Sequence, residues 1–424
     1  MKKIFILFVF IQTSILGQNT WQATPNLDAN TNGQRFDDVF FLNENLGWAA
    51  NGYYASIHKT TDGGLTWVEQ LNESQLGGSY YFRNVEFIDE NVGFIGTLNG
   101  THFKTNDGGE TWTTINNIPQ PAPGICGLDA VGENTIYGCG AYFSPAYIIK
   151  SNDSGSTWNF IDMSSYANAL VEILFKNELE GYVSGKSSTG GVILETTDGG
   201  ISWTEIYNSN QSGDYVWKLQ LLNNNTNVIF GAVSSVNPHL GKLISSNNSG
   251  VTWTTFDAPE TDIQAVGFIS QNHGWMGGHT TGFYETLDGG ATWTDLDTGS
   301  NLNRIFVIND NIAYACGTSI YKYTEVTLSH SQQFETTKPQ LGITLYNTPA
   351  KDVLNFEIDF LSDDNIVIDL YTIQGKHLKQ IARELIPNST KKQYSIPVDF
   401  LSPGLYILDF HNNTGHNSKI FTKK

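Results

Sequence analysis

The sequence is poor in basic residues and in cysteine. Of its 424 residues only 15% are charged, and 42 acidic side chains against 23 basic ones leave a net charge of −19. The acidic excess lies in residues 18–325, whereas residues 326–424 carry equal numbers of acidic and basic side chains. Such a shortage of positive charge argues against nucleic acid or an anionic membrane surface as a partner.

The sequence motifs of common catalytic, cofactor and metal sites are also missing. The nine histidines show no metal-ligand spacing, and there is neither a phosphate-binding loop nor a nucleophile motif. We therefore expect no metal and no cofactor. The apolar run at residues 4–10 is too short for a bilayer, which needs about 20 residues. Lys2 and Lys3 precede it and Leu16 and Gly17 follow it, so residues 1–17 are predicted to be a signal peptide rather than a transmembrane segment.

An eight-residue phrase returns six times, roughly 45 residues apart, and this period indicates a propeller, a solenoid or an array. Short alternating runs between the copies favour strands over helices. The copies, which we call boxes, are TTDGGLTW (60–67), TNDGGETW (105–112), SNDSGSTW (151–158), TTDGGISW (196–203), SNNSGVTW (246–253) and TLDGGATW (286–293).

Each box is predicted to be a tight turn followed by a buried tryptophan side chain. The Asp62 side chain can accept hydrogen bonds from the backbone N–H groups that follow it, and Gly64 supplies a positive φ. Trp67 can bury a large apolar face between sheets. The boxes resemble the Asp-box, or bacterial neuraminidase repeat, which is a fold element rather than a catalytic device. The predicted structural residues are Asp62, Asp107, Asp153, Asp198, Asn248 and Asp288, with Trp67, Trp112, Trp158, Trp203, Trp253 and Trp293.

A second periodic signal predicts seven blades rather than six. Seven short strands combine glycine or alanine with an aromatic residue, from Gly47-Trp48 to Ala313-Tyr314, and an apolar strand precedes each one. No box follows the seventh. Thr20 and Trp21 read like the end of a box, so the N-terminal strand is expected to complete blade seven and close the ring, leaving no free sheet edge. The predicted fold class is all-β, with a seven-bladed β-propeller over residues 18–325 followed by a small β-sandwich.

The C-terminal part has its own pattern. Residues 326–342 are polar and aperiodic and are predicted to be a linker. Residues 343–424 contain strand patterns near residues 353–360, 365–371, 393–398, 405–410 and 419–422. The runs at 346–349 (YNTP), 368–376 (IDLYTIQGK), 401–407 (LSPGLYI) and 419–421 (KIF) are similar to the C-terminal sorting domain of Bacteroidetes proteins exported by type IX secretion, although that family usually has Tyr-Pro-Asn-Pro at the first run.

That resemblance implies export through the periplasm to the cell surface or the medium, with the type IX machinery as a partner. The alternative is a generic immunoglobulin-like adhesion domain.

Function is expected on the face opposite the boxes. Arg35, Arg83 and Arg304 are the arginines of residues 18–325, and all three lie at the start of first strands in neighbouring blades. Together they could clamp a carboxylate, or each could pair with a local acid such as Asp37 or Asp38. Aromatic residues on the same face could stack on a sugar or anchor a peptide. They are Tyr54, Tyr81 and Trp217, with Tyr53, Tyr80, Tyr142, Tyr166 and Tyr215.

Residues 20–323 resemble seven-bladed propellers related to the photosystem II stability and assembly factor, which pair a Gly-aromatic strand with a DGGxTW box. The resemblance implies a noncatalytic protein that binds a protein partner, with the three arginines as candidates for its binding patch. For this chain we expect a monomer that binds a peptide or glycan. The alternative is an extracellular glycoside hydrolase or lyase. Against it, no Arg-Ile-Pro motif of sialidases occurs, and Asp37 and Asp38, adjacent on a strand, should point to opposite faces.

The three cysteines allow one internal disulfide. Cys126 and Cys139 flank a predicted turn in blade three and could face each other across a hairpin, where a disulfide is permitted in an exported protein. Two reduced core thiols are the equally open alternative. Cys316 has no partner nearby in sequence and is expected to be a small buried residue.

Overall fold

A computed structural model describes residues 20–143, 145–324, 342–346, 348–359, 364–372, 377–386, 391–411 and 416–424. The predicted signal peptide (1–17) and nearly all of the predicted linker (326–342) lie outside these residues. The chain divides into two compact units, Met1–His330 and Ser331–Lys424. No helix among the described residues is long and apolar enough to cross a membrane.

Seven four-stranded antiparallel sheets make up the described part of the first unit, as predicted. The first strand of each sheet packs against the first strand of the next, and the seventh packs against the first, so these strands surround a central channel. Blade one is β2 (Phe36–Phe41), β3 (Gly47–Asn51), β4 (Ser56–Thr60) and β5 (Val68–Leu71); a helical turn, α1 (Glu73–Leu76), follows. Blade two is β6 (Phe82–Phe87), β7 (Gly93–Thr97), β8 (Phe103–Thr105) and β9 (Thr113–Thr114).

The next three blades continue the same pattern in chain order. Blade three is β10 (Gly127–Val131), β11 (Thr135–Gly140), β12 (Tyr147–Ser151) and β13 (Asn159–Asp162). Blade four is β14 (Ala169–Phe175), β15 (Gly181–Lys186), β16 (Gly191–Thr196) and β17 (Thr204–Asn208). Blade five is β18 (Tyr215–Leu222), β19 (Asn225–Ser234), β20 (Lys242–Ser246) and β21 (Thr254–Asp257).

Blade seven is completed by the N-terminal strand, which confirms the predicted closure of the ring. In β1 (Thr20–Ala23), Trp21 lies opposite Tyr323 in the ladder. Trp21 is buried and stacks on Phe283 of blade six at 4.2 Å between ring centroids. Blade six is β22 (Ile263–Phe268), β23 (Gly274–Gly278), β24 (Tyr284–Thr286) and β25 (Thr294–Asp295), and blade seven adds β26 (Arg304–Asn309), β27 (Ile312–Cys316) and β28 (Ile320–Thr324) to β1.

Aromatic contacts explain why the second strands pair a glycine with an aromatic residue. A Cβ atom on Gly47 would lie 2.5 Å from the Phe41 ring, so only glycine leaves room for that ring. Phe41 in turn stacks on Tyr314 of blade seven at 3.6 Å, and Trp48 stacks on Phe87 of blade two at 3.5 Å. The repeated dipeptide therefore builds the interface between successive blades.

The boxes have the predicted turn geometry. Asp62 Oδ1 accepts a hydrogen bond from the Thr66 N–H at 2.9 Å, and Gly64 has a φ of 84°. In the fifth box the Asn248 oxygen accepts from the Thr252 N–H at 2.9 Å, and its amide donates to the Thr252 hydroxyl. The amide thus replaces both carboxylate contacts, so the turn does not require the negative charge.

The C-terminal unit contains two sheets, as expected for a β-sandwich. Leu354, Phe356, Leu370 and Phe410 belong to its buried core. The predicted strands are present, and the sequence pattern missed two further strands, Gly342–Leu345 and His377–Ile386. The first sheet contains β29 (Gly342–Leu345), β30 (Val353–Asp359) and β33 (Lys391–Pro397); the second contains β31 (Asp364–Thr372), β32 (His377–Ile386), β34 (Gly404–His411) and β35 (His416–Lys423).

Candidate functional site

The boxes occupy one end of the channel, together with the turns between first and second strands. The Gly63 N–H of the first box donates to the Asn45 carbonyl in such a turn, and Gly108 repeats the contact with Asn91. The opposite end is formed by the connections between second and third strands and between blades. We call it the upper face. The first strands begin at the upper face, so the predicted arginines lie at the centre of this face or just inside the channel.

The predicted arginines meet the two acids of the first strand. Arg83 Nη1 lies 3.2 Å from Asp37 Oδ1, and Arg35 Nε lies 3.4 Å from the same oxygen. Arg304 Nη1 lies 2.9 Å from Asp38 Oδ1. The structure thus brings the three arginines together. Each one pairs with a local acid, which was the alternative to a ligand clamp. Whether they also contact a ligand stays a prediction.

The expectation that Asp37 and Asp38 point to opposite faces is wrong. The ladder between β2 and β3 shifts register between Phe36 and Asp38, which leaves Asp37 as an extra, unpaired residue. Such a bulge interrupts the strict alternation of side chains. Both carboxylates therefore reach arginines of neighbouring first strands. Asp38 also accepts a hydrogen bond from the Val85 N–H of blade two at 3.0 Å.

A second layer of buried charge lies further along the first strands. Lys218 Nζ lies 2.6 Å from Glu172 Oε2, and both side chains are buried. Asp129 Oδ2 accepts from the Phe175 N–H at 2.7 Å. Burial raises the pKa of Asp129 to about 8 and raises that of Glu86 well above its ordinary value. The first strands therefore carry buried ionisable groups, and burial favours the neutral form of Asp129 and Glu86.

The buried Asp129 should make stability depend on pH. Because its pKa is higher in the folded than in the unfolded chain, its contribution is complete below pH ~4 and is lost as the pH rises through about 8. Asp129→Asn cannot ionise. Between pH 5 and 8.5 the unfolding free energy of the parent should fall by at least ~1 kcal/mol more than that of the variant, the equivalent of one pKa unit. Urea denaturation at both pH values measures this, and equal losses would contradict it.

The cysteine alternatives are decided by the structure. Cys126, Cys139 and Cys316 are all buried and free, so the permitted disulfide is not formed. The Cys126 N–H donates to the Cys139 carbonyl at 2.8 Å, so the two residues are neighbours, but the ladder places Gly127 rather than Cys126 opposite Cys139. They serve as small core residues of blade three.

The predicted aromatic residues separate into two groups. Tyr54 lies on the connection after β3 and is exposed to solvent rather than packed between blades. Tyr81 lies beside Asp37, and burial together with that carboxylate raises the pKa of Tyr81 to about 12. The Trp217 ring lies across the channel from blade two, 5.7 Å from the Arg83 guanidinium carbon.

A pocket of about 790 Å³ opens on the upper face between blades five and six. Trp217 and Tyr215 form an aromatic wall, and Val236 and Leu240 add apolar surface. Sequence reasoning found the two aromatic residues but missed the pocket, since its walls come from four separate connections. The remaining lining residues are Gly213, Ser234, Ser235, Asn237, Glu260, Thr261, Asp262, Gln264 and Thr280.

Two acids line this pocket. Glu260 is 8% exposed and accepts from the Thr280 N–H at 3.2 Å, and burial raises its pKa. Asp262 accepts from the Ser234 hydroxyl at 2.7 Å and from the Gln264 amide. Gln264 in turn accepts from Arg35 Nη1 at 2.7 Å, which joins the pocket to the channel network. Among the described residues no group of His, Cys, Asp and Glu has a metal-binding arrangement.

The fold and the site define a β-propeller with repeated box turns and an upper-face pocket, followed by a two-sheet C-terminal domain. Residues 344–424 match the family model described as a secretion system C-terminal sorting domain, and residues 14–141 match that of the photosynthesis system II assembly factor YCF48. Both resemblances inferred from the sequence are thereby confirmed. The sorting domain indicates secretion to the cell surface or the extracellular space.

Solved structures support the same fold. YCF48 from Cyanidioschyzon merolae is 20% identical, with a TM-score of 0.57 over 72% of this chain and 98% of that one. YCF48 bound to a D1 peptide is 19% identical, with a TM-score of 0.55 over 73% and 98%. An ancestral GH74 enzyme is 14% identical, with a TM-score of 0.54 over 94% and 63%. No curated protein matches the sequence.

Proposed function

We propose that this exported propeller is a noncatalytic binding protein that holds a peptide in the upper-face pocket between blades five and six. The pocket itself carries the proposal. It is concave, it has an aromatic and apolar wall, and a few polar groups converge on it, as is typical of ligand sites. A propeller of the same fold, YCF48, has been solved bound to a peptide.

The surroundings of the aromatic wall favour a peptide over a glycan. Both rings already have a cation near one face: Lys186 Nζ lies 4.9 Å from the Tyr215 ring centroid, and the Arg83 guanidinium carbon lies 5.7 Å from that of Trp217. Only one face of each ring remains for a ligand. The apolar Val236 and Leu240 suit the side chains of a peptide.

The rival function is glycoside hydrolysis, which needs two carboxyl groups flanking the scissile bond. The Asp37 carboxylate pairs with Arg35 and Arg83, and Asp38 pairs with Arg304 and accepts the Val85 N–H, so both acids are already engaged within the protein. Glu260 and Asp262 share a pocket and are the acids on which a hydrolase would depend. The rival is therefore tested at these four residues.

The test compares binding and turnover with the full exported chain. We expect capture of peptides from a random peptide array and no turnover on a panel of extracellular polysaccharides. Trp217→Ala should weaken peptide capture about tenfold or more, as for an aromatic residue at the centre of an interface. Tyr53→Ala, which removes an exposed aromatic ring of the upper face in blade one, is the matched control and should bind normally.

Polysaccharide turnover that disappears in Asp37→Asn, Asp38→Asn, Glu260→Gln or Asp262→Asn would overturn the proposal in favour of a hydrolase. Binding on a glycan array, lost in Trp217→Ala and absent from the peptide array, would retain the binding role and replace the ligand class.

A further inference from the structure

We infer that the pocket between blades five and six recognises a lysine or arginine side chain of its peptide. The inference rests on the proposed function and adds the chemical class of the ligand. Two features of the pocket carry it: acids that have no counter-ion, and an apolar wall.

The first feature is the contrast between the acids of the pocket and those of the channel. Asp37, Asp38 and Glu172 each face an arginine or a lysine within 3.4 Å. None of the ion pairs among the described residues includes Glu260 or Asp262. Their hydrogen bonds come from hydroxyl, amide and backbone donors only.

A buried carboxylate without a counter-ion is costly, and a cation supplied by the ligand relieves that cost. Glu260 is more than nine-tenths buried and lines the pocket, so an ammonium or guanidinium group can reach it only from within the pocket. The strongly acidic propeller around the site also raises the local concentration of cationic ligands and disfavours anionic ones.

The second feature is the apolar surface beside the two acids. Val236, Leu240 and the Tyr215 ring line the same pocket as the two acids. Lysine and arginine side chains pack their aliphatic stems on apolar surface while the charged end meets a polar partner. The pocket offers both parts of that arrangement.

The experiment is calorimetric titration of the full exported chain with four capped pentapeptides, acetyl-Gly-Gly-X-Gly-Gly-amide, in which X is Lys, Arg, Gln or Glu. The caps remove the terminal charges, so X alone carries the cation. We expect the Lys and Arg peptides to bind at least about tenfold more tightly than the Gln peptide, the ratio typical of one charged hydrogen bond. Their affinity should fall as NaCl is added.

Two variants test the acids separately. Glu260→Gln keeps the acceptor for the Thr280 N–H and Asp262→Asn keeps the acceptor for Ser234, so each removes charge with little change of shape. Each should reduce the affinity of the Lys peptide about tenfold and leave that of the Gln peptide unchanged. Glu205→Gln, at an exposed acid of blade four, is the matched control and should have no effect. Thermal unfolding verifies that the variants are folded.

The outcomes separate this inference from the proposed function. Equal affinity for the Gln and Lys peptides, with binding still lost in Trp217→Ala, overturns the cation preference and leaves the peptide-binding role intact. Loss of binding to every peptide, with turnover of a polysaccharide, overturns the proposed function itself.

Discussion

Asp38→Ala is expected to lower the free energy of unfolding by about 3–5 kcal/mol, the cost of leaving a buried charge without its partner. Asp38 is 1% exposed and holds Arg304 at 2.9 Å. It also accepts the Val85 N–H, which ties the first strand of blade one to that of blade two. Alanine would therefore remove contacts with both neighbouring blades. Urea denaturation of the purified chain measures the loss.

Two further variants distinguish charge from shape at this position. Asp38→Asn keeps an acceptor for the Val85 N–H and should lose less stability than alanine does. Asp28→Ala removes an exposed acid ahead of blade one and should change the unfolding free energy by less than ~0.5 kcal/mol. If Asp38→Ala is as stable as Asp28→Ala, the buried arginine does not depend on this pairing.

Trp21→Ala should be equally damaging, with an expected loss of about 3–5 kcal/mol for a large buried aromatic residue. Trp21 closes the ring: it lies in the last strand of blade seven, stacks on Phe283 and meets Trp275 edge-on at 5.4 Å. Its removal leaves a cavity between blades six and seven and weakens the strand that covers the edge of β28. Thermal unfolding and limited proteolysis of the N-terminus measure both effects.

The neighbouring Thr20→Ala is the control, because Thr20 is exposed in the same strand. It should leave the melting temperature nearly unchanged. A Trp21→Ala variant that melts with the parent and resists proteolysis would show that the ring does not require closure by the N-terminal strand.

Local patterns made most of the fold predictable. The box residues bond within one turn, as Asp62 and Thr66 do, so eight letters of sequence contain the whole interaction. The glycine before Trp48 is likewise needed because an aromatic ring a few residues away covers it. Such short-range requirements recur along the chain, and the seven second strands that pair glycine or alanine with an aromatic residue gave the number of blades. The sorting domain was recognisable for the same reason, through short motifs at fixed positions.

The arginines show what local sequence patterns do not predict. Their place at the start of three neighbouring first strands was readable, but their partners depended on the bulge at Asp37, which no residue pattern announced. With regular alternation only one of the two acids would face the channel. The bulge turns both toward it, and the arginines become part of a buried network.

The sequence by itself thus determined the number of blades, the closure by Trp21 and the sorting tail, because each rests on residues that are close together or that repeat at a fixed period. The tertiary structure alone decided which charges are compensated. Arg83 and Trp217 are brought together from blades two and five, and Glu260 and Asp262 share a pocket with a tryptophan more than forty residues earlier in the chain. Electrostatic pairing depends on distance through space and on burial, and neither quantity is encoded in the spacing of residues along a chain.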